Sequence, residues 1–263
     1  MTEDSSWRFS ANLGFLWKDR PFLERIGLAA AAGFDAIEFH DDAQACDLDA
    51  LREALAWADL PVQGLNVRMG ASAGCAAIPG MGDQARQDVD TAIAVAEAIG
   101  AHAVHVLAGK TAGEGDYTQY LDVLRHSLRN SDLTILIEPI STAAMPGYFL
   151  NSLDLATRVI GDVGHERLKI LFDCFHIESA HGDVASRFRE VAASVGHVQI
   201  ASVPARTEPW PSRVDYAELL PVMRACGYRG MFGCEYSPAA TVEEGLGWRE
   251  ALLERLQSSL PTS

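Results

Sequence analysis

Four polar side chains, each near the C-terminal end of an apolar stretch, have the chemistry of ligands for a hard cation. Each stretch is apolar, β-branched and of strand length. The stretches and their oxygen donors are Leu133–Ile140 with Glu138, Leu168–Phe175 with Asp173, His197–Val203 with Gln199 and Met231–Tyr236 with Glu235. Any one acid alone would be a solvated strand end, but four on successive strands predict convergence at one rim. Oxygen-only ligation suits Mg²⁺ or Mn²⁺, and three neighbouring carboxylates repel one another unless a cation neutralises them.

The rest of the chain repeats one pattern, a short β-rich run followed by a loop and an amphipathic segment. Before Leu133 the predicted strands are Arg8–Leu13, Ala36–His40, Val62–Val67 and Ala103–Ala108. The predicted helices are Pro21–Ala32, Leu48–Asp59, Asp83–Ile99, Tyr117–Arg129, Ser152–Val163, Val184–Val195, Tyr216–Cys226 and Val242–Gln257. Proline at helix starts and glycine at helix ends support these limits, with Gly196 as one predicted stop.

Eight strand–helix units in 263 residues predict a (β/α)₈ TIM barrel, with residues 1–263 forming a single domain. The rival is a doubly wound open sheet, which usually has a glycine-rich turn after its first strand. No G-x-G-x-x-G follows the first predicted strand. In a barrel, the four oxygen donors would all lie at the C-terminal face, where catalytic residues are found.

The composition of the chain bears on its partners and on its cellular compartment. The net charge of −15, from 36 acidic and 21 basic residues, argues against a nucleic-acid partner. The five cysteines are an odd number without C-x-x-C, which fits reduced thiols in a cytoplasm better than a disulfide framework. No apolar run approaches the length needed to cross a bilayer. We therefore predict a cytoplasmic protein with a small-molecule substrate and no membrane or nucleic-acid partner, and leave homo-oligomerisation open.

Several longer segments carry a family resemblance from about Phe9 to Trp248. They read FSANLGFL, PFLERI, AAGFDAIEF, IEPI, MPGYFL, LFDCFH, GHVQIASVP, EPW, GCEYSP and GLGW. These segments resemble the hydroxypyruvate isomerase family of xylose isomerase-like (abasic-endonuclease-like) TIM barrels. The resemblance implies a divalent metal, Mg²⁺ or Mn²⁺, held by Glu138, Asp173, Gln199 and Glu235. It also implies that Glu138 and Glu235 act as the acid–base pair, in an order that the sequence leaves open.

The implied reaction moves a proton between adjacent carbons of a small 2-oxo or hydroxy acid through a cis-enediolate. The expected substrate is hydroxypyruvate and the product 2-hydroxy-3-oxopropanoate (tartronate semialdehyde). A cation that binds the carbonyl and hydroxyl oxygens together would acidify the carbon-bound proton. A positioned carboxylate would then remove it.

Four further residues are candidate substrate contacts. His176 lies three residues after Asp173, where related sugar epimerases have a histidine that meets a substrate oxygen; an equal alternative is that it orients a carboxylate. Arg206, in the loop after the seventh strand, resembles the family's substrate-binding arginine and would grip a carboxylate. Arg68 and Lys110, at the ends of the third and fourth strands, would anchor a carboxylate or be surface charges. His197 points to the same face as Gln199, one layer deeper, and is predicted to be structural.

Two loops depart from the family pattern and leave the substrate open. The family reads A-D-V-P-G-R-H-E-P-G after the seventh strand, where this chain has ASVPARTEPW, and the loop after the third strand is shorter than usual. A 2-oxo-tetronate isomerase and a ketose 3-epimerase are therefore alternatives. A barrel that binds a metabolite without turnover and an abasic-site endonuclease are more remote ones, since the nuclease branch uses several Zn²⁺ ions and more histidine ligands.

Overall fold

Eight parallel strands close into a barrel. A computed structural model describes residues 7–111 and 113–258. The strands pair in chain order, and the last pairs with the first. They are β1 Phe9–Asn12, β2 Ala36–Phe39, β3 Val62–Asn66, β4 Ala103–His105, β5 Thr134–Ile137, β6 Leu168–Asp173, β7 Val195–Ile200 and β8 Phe232–Cys234. The predicted TIM barrel is confirmed.

Helices follow the strands, as the alternating pattern predicts. They are α1 Phe22–Ala31, α2 Leu48–Ala58, α3 Gly82–Ile99, α4 Tyr117–Asn130, α5 Leu153–Val163, α6 Cys174–His181, α7 Val184–Val191, α8 Tyr216–Ala225, α9 Val242–Gly245 and α10 Gly247–Ser258. Side-chain caps set several of their starts; for example, the side chain of Asp47 accepts a hydrogen bond from Ala50 N at 2.9 Å. Within the described residues, no helix is both long enough and apolar enough to cross a bilayer.

The largest departure from the predicted elements follows Asp173. The apolar run extends to Phe175 and predicts a strand to that point, but the ladder ends at Asp173 and α6 begins at Cys174. The Asp173 side chain caps this helix by accepting a hydrogen bond from Phe175 N at 2.8 Å. Gly196 is also not a helix stop: it lies in β7, where a Cβ would come within 2.6 Å of Lys169 Cβ.

The predicted final helix, Val242–Gln257, is two helices. α9 ends at Gly245 and α10 begins at Gly247, two residues later. Two glycines so close together make a continuous helix unfavourable, because glycine loses more backbone entropy than other residues on entering a helix.

The barrel interior changes from apolar to polar toward its C-terminal mouth. Ala103, Leu136 and Leu171 form a small buried cluster of their own, apart from the main core. Side chains alternate along a strand, so residues two positions further on point into the same interior. These are His105, Glu138 and Asp173, and each is at most 6% exposed. The barrel therefore directs a polar layer toward the face where the sequence predicts chemistry.

The main core lies between the barrel and its helices, and Phe172 is a sensitive test of it. Phe172 is fully buried and packs edge-on against Phe188 of α7, with ring centroids 5.2 Å apart. We expect Phe172→Ala to lower the free energy of unfolding by about 3–5 kcal/mol, measured by urea denaturation. Trp57→Ala, at a side chain that is 76% exposed, should change it by less than about 0.5 kcal/mol. Equal effects of the two substitutions would contradict this assignment of the core.

Candidate active site

Three carboxylates meet at the C-terminal mouth of the barrel. Glu138 directly follows β5, Asp173 ends β6 and Glu235 directly follows β8. Ligand atoms of Glu138, Asp173 and His176 lie within 4.8 Å of one another. Asp173 and Glu235 are joined by Arg206, whose Nη2 donates to Asp173 Oδ2 at 2.9 Å and also to Glu235 Oε2. Three of the four predicted ligands are thus brought into one cluster.

The charges in this cluster are strongly coupled. Burial, and then the negative charges of Glu235 and Asp173, raise the pKa of Glu138 well above its usual range. Burial also raises the pKa of Asp173, although Arg206 opposes the shift. Burial alone would raise the pKa of Glu235, but Arg206 and His40 outweigh it and lower that pKa. One guanidinium therefore faces three buried carboxylates and cannot neutralise them all.

Gln199 lies beside this cluster in the middle of the sheet. Its Cα is in register with Asp173 on one side and with Gly233 on the other. Its amide nitrogen donates to Glu38 Oε1 at 2.9 Å. Its Oε1 is buried and accepts no hydrogen bond from any described residue. The side chain thus keeps its one ligand atom unused.

These residues fit a divalent cation. Glu138 Oε1 and Gln199 Oε1 are both buried without a hydrogen-bond partner among the described residues, which is costly for polar atoms unless something else satisfies them. The donor set of three carboxylates and one amide carbonyl is the oxygen-rich set that Mg²⁺ and Mn²⁺ prefer. His176 adds a nitrogen close to two of these carboxylates.

Three histidines surround the carboxylates. His176 Nε2 lies 3.5 Å from Asp173 Oδ2 and 3.7 Å from Glu138 Oε1. His40 Nε2 lies 3.6 Å from Glu235 Oε1, and His105 Nε2 lies 3.8 Å from Glu138 Oε2. Burial lowers the pKa of both His105 and His176 to about 3, so these two rings are neutral near pH 7.

Arg206 is held rigidly at this mouth. Its guanidinium lies 4.8 Å from the ring centroids of both Phe15 and Phe175, so two aromatic faces enclose it. Its backbone is left-handed, with φ of 54°. Burial alone would lower its pKa, but Glu235 and Asp173 outweigh this and raise it. The charge of Arg206 is therefore permanent and is aimed at the carboxylate cluster.

The other two predicted substrate contacts lie in more open positions. Arg68 is about half exposed, and its Nε donates to Asp88 Oδ1 of α3 at 2.9 Å. Lys110 is exposed, and its backbone pairs with Tyr148. No hydrogen bond or ion pair joins Arg68 or Lys110 to the described carboxylate cluster, so their roles in substrate binding stay predictions.

Residues 26–252 match the family described as "Xylose isomerase-like TIM barrel". The chain belongs to this family. The resemblance that the sequence carries is therefore confirmed, and the fold is that of a xylose isomerase-like barrel.

Individual relatives of this xylose isomerase-like barrel match over almost their whole length. The 2-oxo-tetronate isomerase of Cupriavidus necator is 38% identical, covering 94% of this chain and 99% of the relative. The hydroxypyruvate isomerase of Escherichia coli is 35% identical, covering 92% and 98%. The crystal structure of an AP endonuclease, family 2, from Brucella melitensis is 33% identical with a TM-score of 0.89, covering 94% and 99%. The two named enzymes are isomerases, which confirms the prediction of a hydroxypyruvate isomerase-like enzyme.

Sequence analysis did not single out three residues that the structure places at or just below the mouth. They are Asn12, Glu38 and His105. All three are polar residues in the last two positions of the first, second and fourth strands of this xylose isomerase-like barrel. The same alternation that identified Glu138 and Asp173 would have identified the inward-facing ones.

Proposed function

We propose that this xylose isomerase-like barrel is a divalent-metal-dependent isomerase of a small 2-oxo or hydroxy acid, most simply of hydroxypyruvate. The observation that carries the proposal is the cluster of Glu138, Asp173 and Glu235 around a single guanidinium at the barrel mouth. A cation would stabilise such a cluster in its ionised form, and its arginine offers a place for a carboxylate. The hydroxypyruvate and 2-oxo-tetronate isomerases among the relatives support the same reaction class.

The isomerisation conserves the atoms and electrons of the substrate. A proton leaves C3 of hydroxypyruvate and one is delivered to C2, while the hydroxyl proton on O3 is exchanged for one on O2. No oxidant or reductant is consumed. A divalent cation held by Glu138, Asp173, Gln199 and Glu235 would supply Lewis-acid polarisation of the substrate oxygens.

The chain's own residues supply proton transfer and orientation. Glu138 and Glu235, which follow the fifth and eighth strands, are the proposed acid–base pair. Arg206 would bind the substrate carboxylate through its remaining guanidinium N–H groups, and Phe15 and Phe175 fix the plane in which those groups point. His176 would donate to or accept from a substrate oxygen, with its Nδ1 3.3 Å from Ser141 Oγ.

Chain length of the substrate separates the two leading alternatives. A four-carbon 2-oxo-tetronate carries the same carboxylate, carbonyl and hydroxyl as hydroxypyruvate, so the same groups would handle it. The 38% identical relative named for that activity gives it specific support. We place hydroxypyruvate first as the smallest acid with all three groups.

Metal removal tests the proposal. We expect the purified chain to isomerise hydroxypyruvate or 2-oxo-tetronate in Mn²⁺ or Mg²⁺, to lose activity with a chelator, and to regain it when the metal is restored. A second measurement is independent of turnover: metal at about 100 times its Kd should add about 2.7 kcal/mol of stability. For a chain of this size that shift corresponds to a Tm increase of about 5–10 °C.

Other outcomes would decide against the proposal. Chelator-resistant turnover would remove the metal from the mechanism. No turnover of either acid, together with turnover of free ketoses, would indicate an epimerase. Cleavage of abasic-site DNA would revive the alternative of an abasic-site endonuclease, the activity for which the Brucella melitensis protein is named. The acidic net charge of −15 argues against that last result.

A further inference from the structure

Glu38 lies inside the barrel and accepts hydrogen bonds from four side chains, two on β1 and two on β7. It is the third residue of β2 and is only 4% exposed. Its Oε1 accepts from Gln199 Nε2 at 2.9 Å and from Asn12 Nδ2 at 3.2 Å. Its Oε2 accepts from His197 Nε2 at 2.5 Å and from Ser10 Oγ at 3.3 Å. Both carboxylate oxygens are thus fully committed.

Two of these donors belong to, or contact, the proposed metal ligands. Gln199 is itself a proposed ligand, and Glu38 fixes its NH₂ group, which leaves Oε1 as the atom free to bind a cation. Asn12 uses the same Nδ2 to donate to Glu235 Oε1 at 3.0 Å. The Oδ1 of Asn12 accepts from Gly14 N at 2.9 Å, so the orientation of its amide is also fixed. One carboxylate oxygen therefore orients two amide groups, one on β7 and one on β1.

The sequence makes room for this arrangement at Gly233. A Cβ on Gly233 would lie 2.5 Å from Glu38 Oε1 and 2.8 Å from His197 Nε2. Both distances are shorter than real Cβ contacts, so a side chain here would displace the carboxylate. Gly233 is in register with Gln199 and with Ser10, which places the space directly beside the network.

We propose that Glu38 is a positioning residue that presents Gln199 Oε1 and Glu235 to the divalent cation. This inference rests on the proposed function, because it assigns Glu38 a role toward that same metal site. Without an acceptor at Glu38, the Gln199 amide loses the bond that distinguishes its nitrogen from its oxygen. Its carbonyl would then spend part of its time turned away from the cation. Hydrogen-bond partners of this kind typically change metal affinity about 10- to 100-fold.

The test is the affinity of the apoenzyme for Mn²⁺, measured by calorimetry, in wild type and Glu38→Gln. Glutamine keeps the size of the side chain but directs an NH₂ group at donors that need acceptors. We expect Mn²⁺ affinity to fall about 10- to 100-fold. Asp88→Asn is the matched control, because Asp88 is a similarly buried carboxylate at 6% exposure that binds Arg68 and Gln84 on the outer helix α3. It should lose stability and retain wild-type Mn²⁺ affinity.

A double-mutant cycle separates positioning from a general effect on the fold. If Glu38 acts through Gln199, then Glu38→Gln should weaken Mn²⁺ binding much less in a Gln199→Ala background than in wild type. Glu38→Asp retains a carboxylate and should bind Mn²⁺ with intermediate affinity. If Glu38→Gln does not fold, the Mn²⁺ affinity of Glu38→Asp is compared with that of wild type instead.

The outcomes distinguish this inference from the proposed function. A wild type that binds no Mn²⁺ would overturn the proposed function and this role with it. A wild type that binds Mn²⁺ and turns over substrate, with unchanged affinity in Glu38→Gln, would overturn the role of Glu38 alone. An equal loss in the presence and absence of Gln199 would also overturn it.

Discussion

Glu235→Gln is expected to lower kcat/KM by at least about 10³-fold, and to weaken Mn²⁺ binding in the same variant. Both oxygens of Glu235 accept hydrogen bonds: Oε1 from Asn12 Nδ2 at 3.0 Å and Oε2 from Arg206 Nη2. A glutamine amide must turn its NH₂ group toward one of these donors. The substitution therefore removes a proton acceptor, a proposed metal ligand and the complement to a buried guanidinium together.

Calorimetry and steady-state kinetics on the same preparation check this prediction. Glu190→Gln is the control, because Glu190 lies on α7 with its side chain about half exposed and paired with Arg187. It should behave as wild type in both measurements. Unchanged Mn²⁺ affinity in Glu235→Gln would count against Glu235 as a ligand, and unchanged kcat/KM would count against the acid–base pair.

The mouth of the barrel was predictable because strands impose a period of two. An apolar run that ends in Glu138 or Asp173 predicts both the strand and the face to which the acid points. Four such runs in order also predict the barrel. The limits of β6 were harder to predict: Phe175 continues the apolar run, but the Asp173 side chain accepts a hydrogen bond from its backbone nitrogen and starts a helix instead.

The contacts between elements far apart in sequence were not predictable in the same way. Asn12 and Glu235 are 223 positions apart, and Glu38 and Gln199 are 161 apart. Alternation along AIEF gives the face to which Glu38 points, but the side chains that it meets there are set only when the barrel closes. Arg206 was identified through a family resemblance, but its enclosure between Phe15 and Phe175 depends on the path of two loops. Loop paths depend on tertiary contacts more than on local sequence.

Arg206→Met is expected to raise the KM for hydroxypyruvate about 100-fold while changing kcat much less. The guanidinium has no role in proton transfer in the proposed reaction, so its loss should weaken binding of the substrate carboxylate. The same variant should bind Mn²⁺ more tightly than wild type. The reason is that Arg206 contacts Asp173 and Glu235, two oxygen donors that the cation also needs.

Weaker substrate binding together with tighter metal binding is expected only if Arg206 contacts both the substrate and the metal ligands. A purely structural arginine would not change the two affinities in opposite directions. Arg213→Met is the matched control, since Arg213 is 65% exposed and pairs with Glu178 at 3.0 Å. It should leave KM and Mn²⁺ affinity unchanged. If Arg206→Met left the KM unchanged, the substrate carboxylate would be bound elsewhere. Arg68 and Lys110 would then be the next cations to replace, because both follow strand ends on the same face of the barrel.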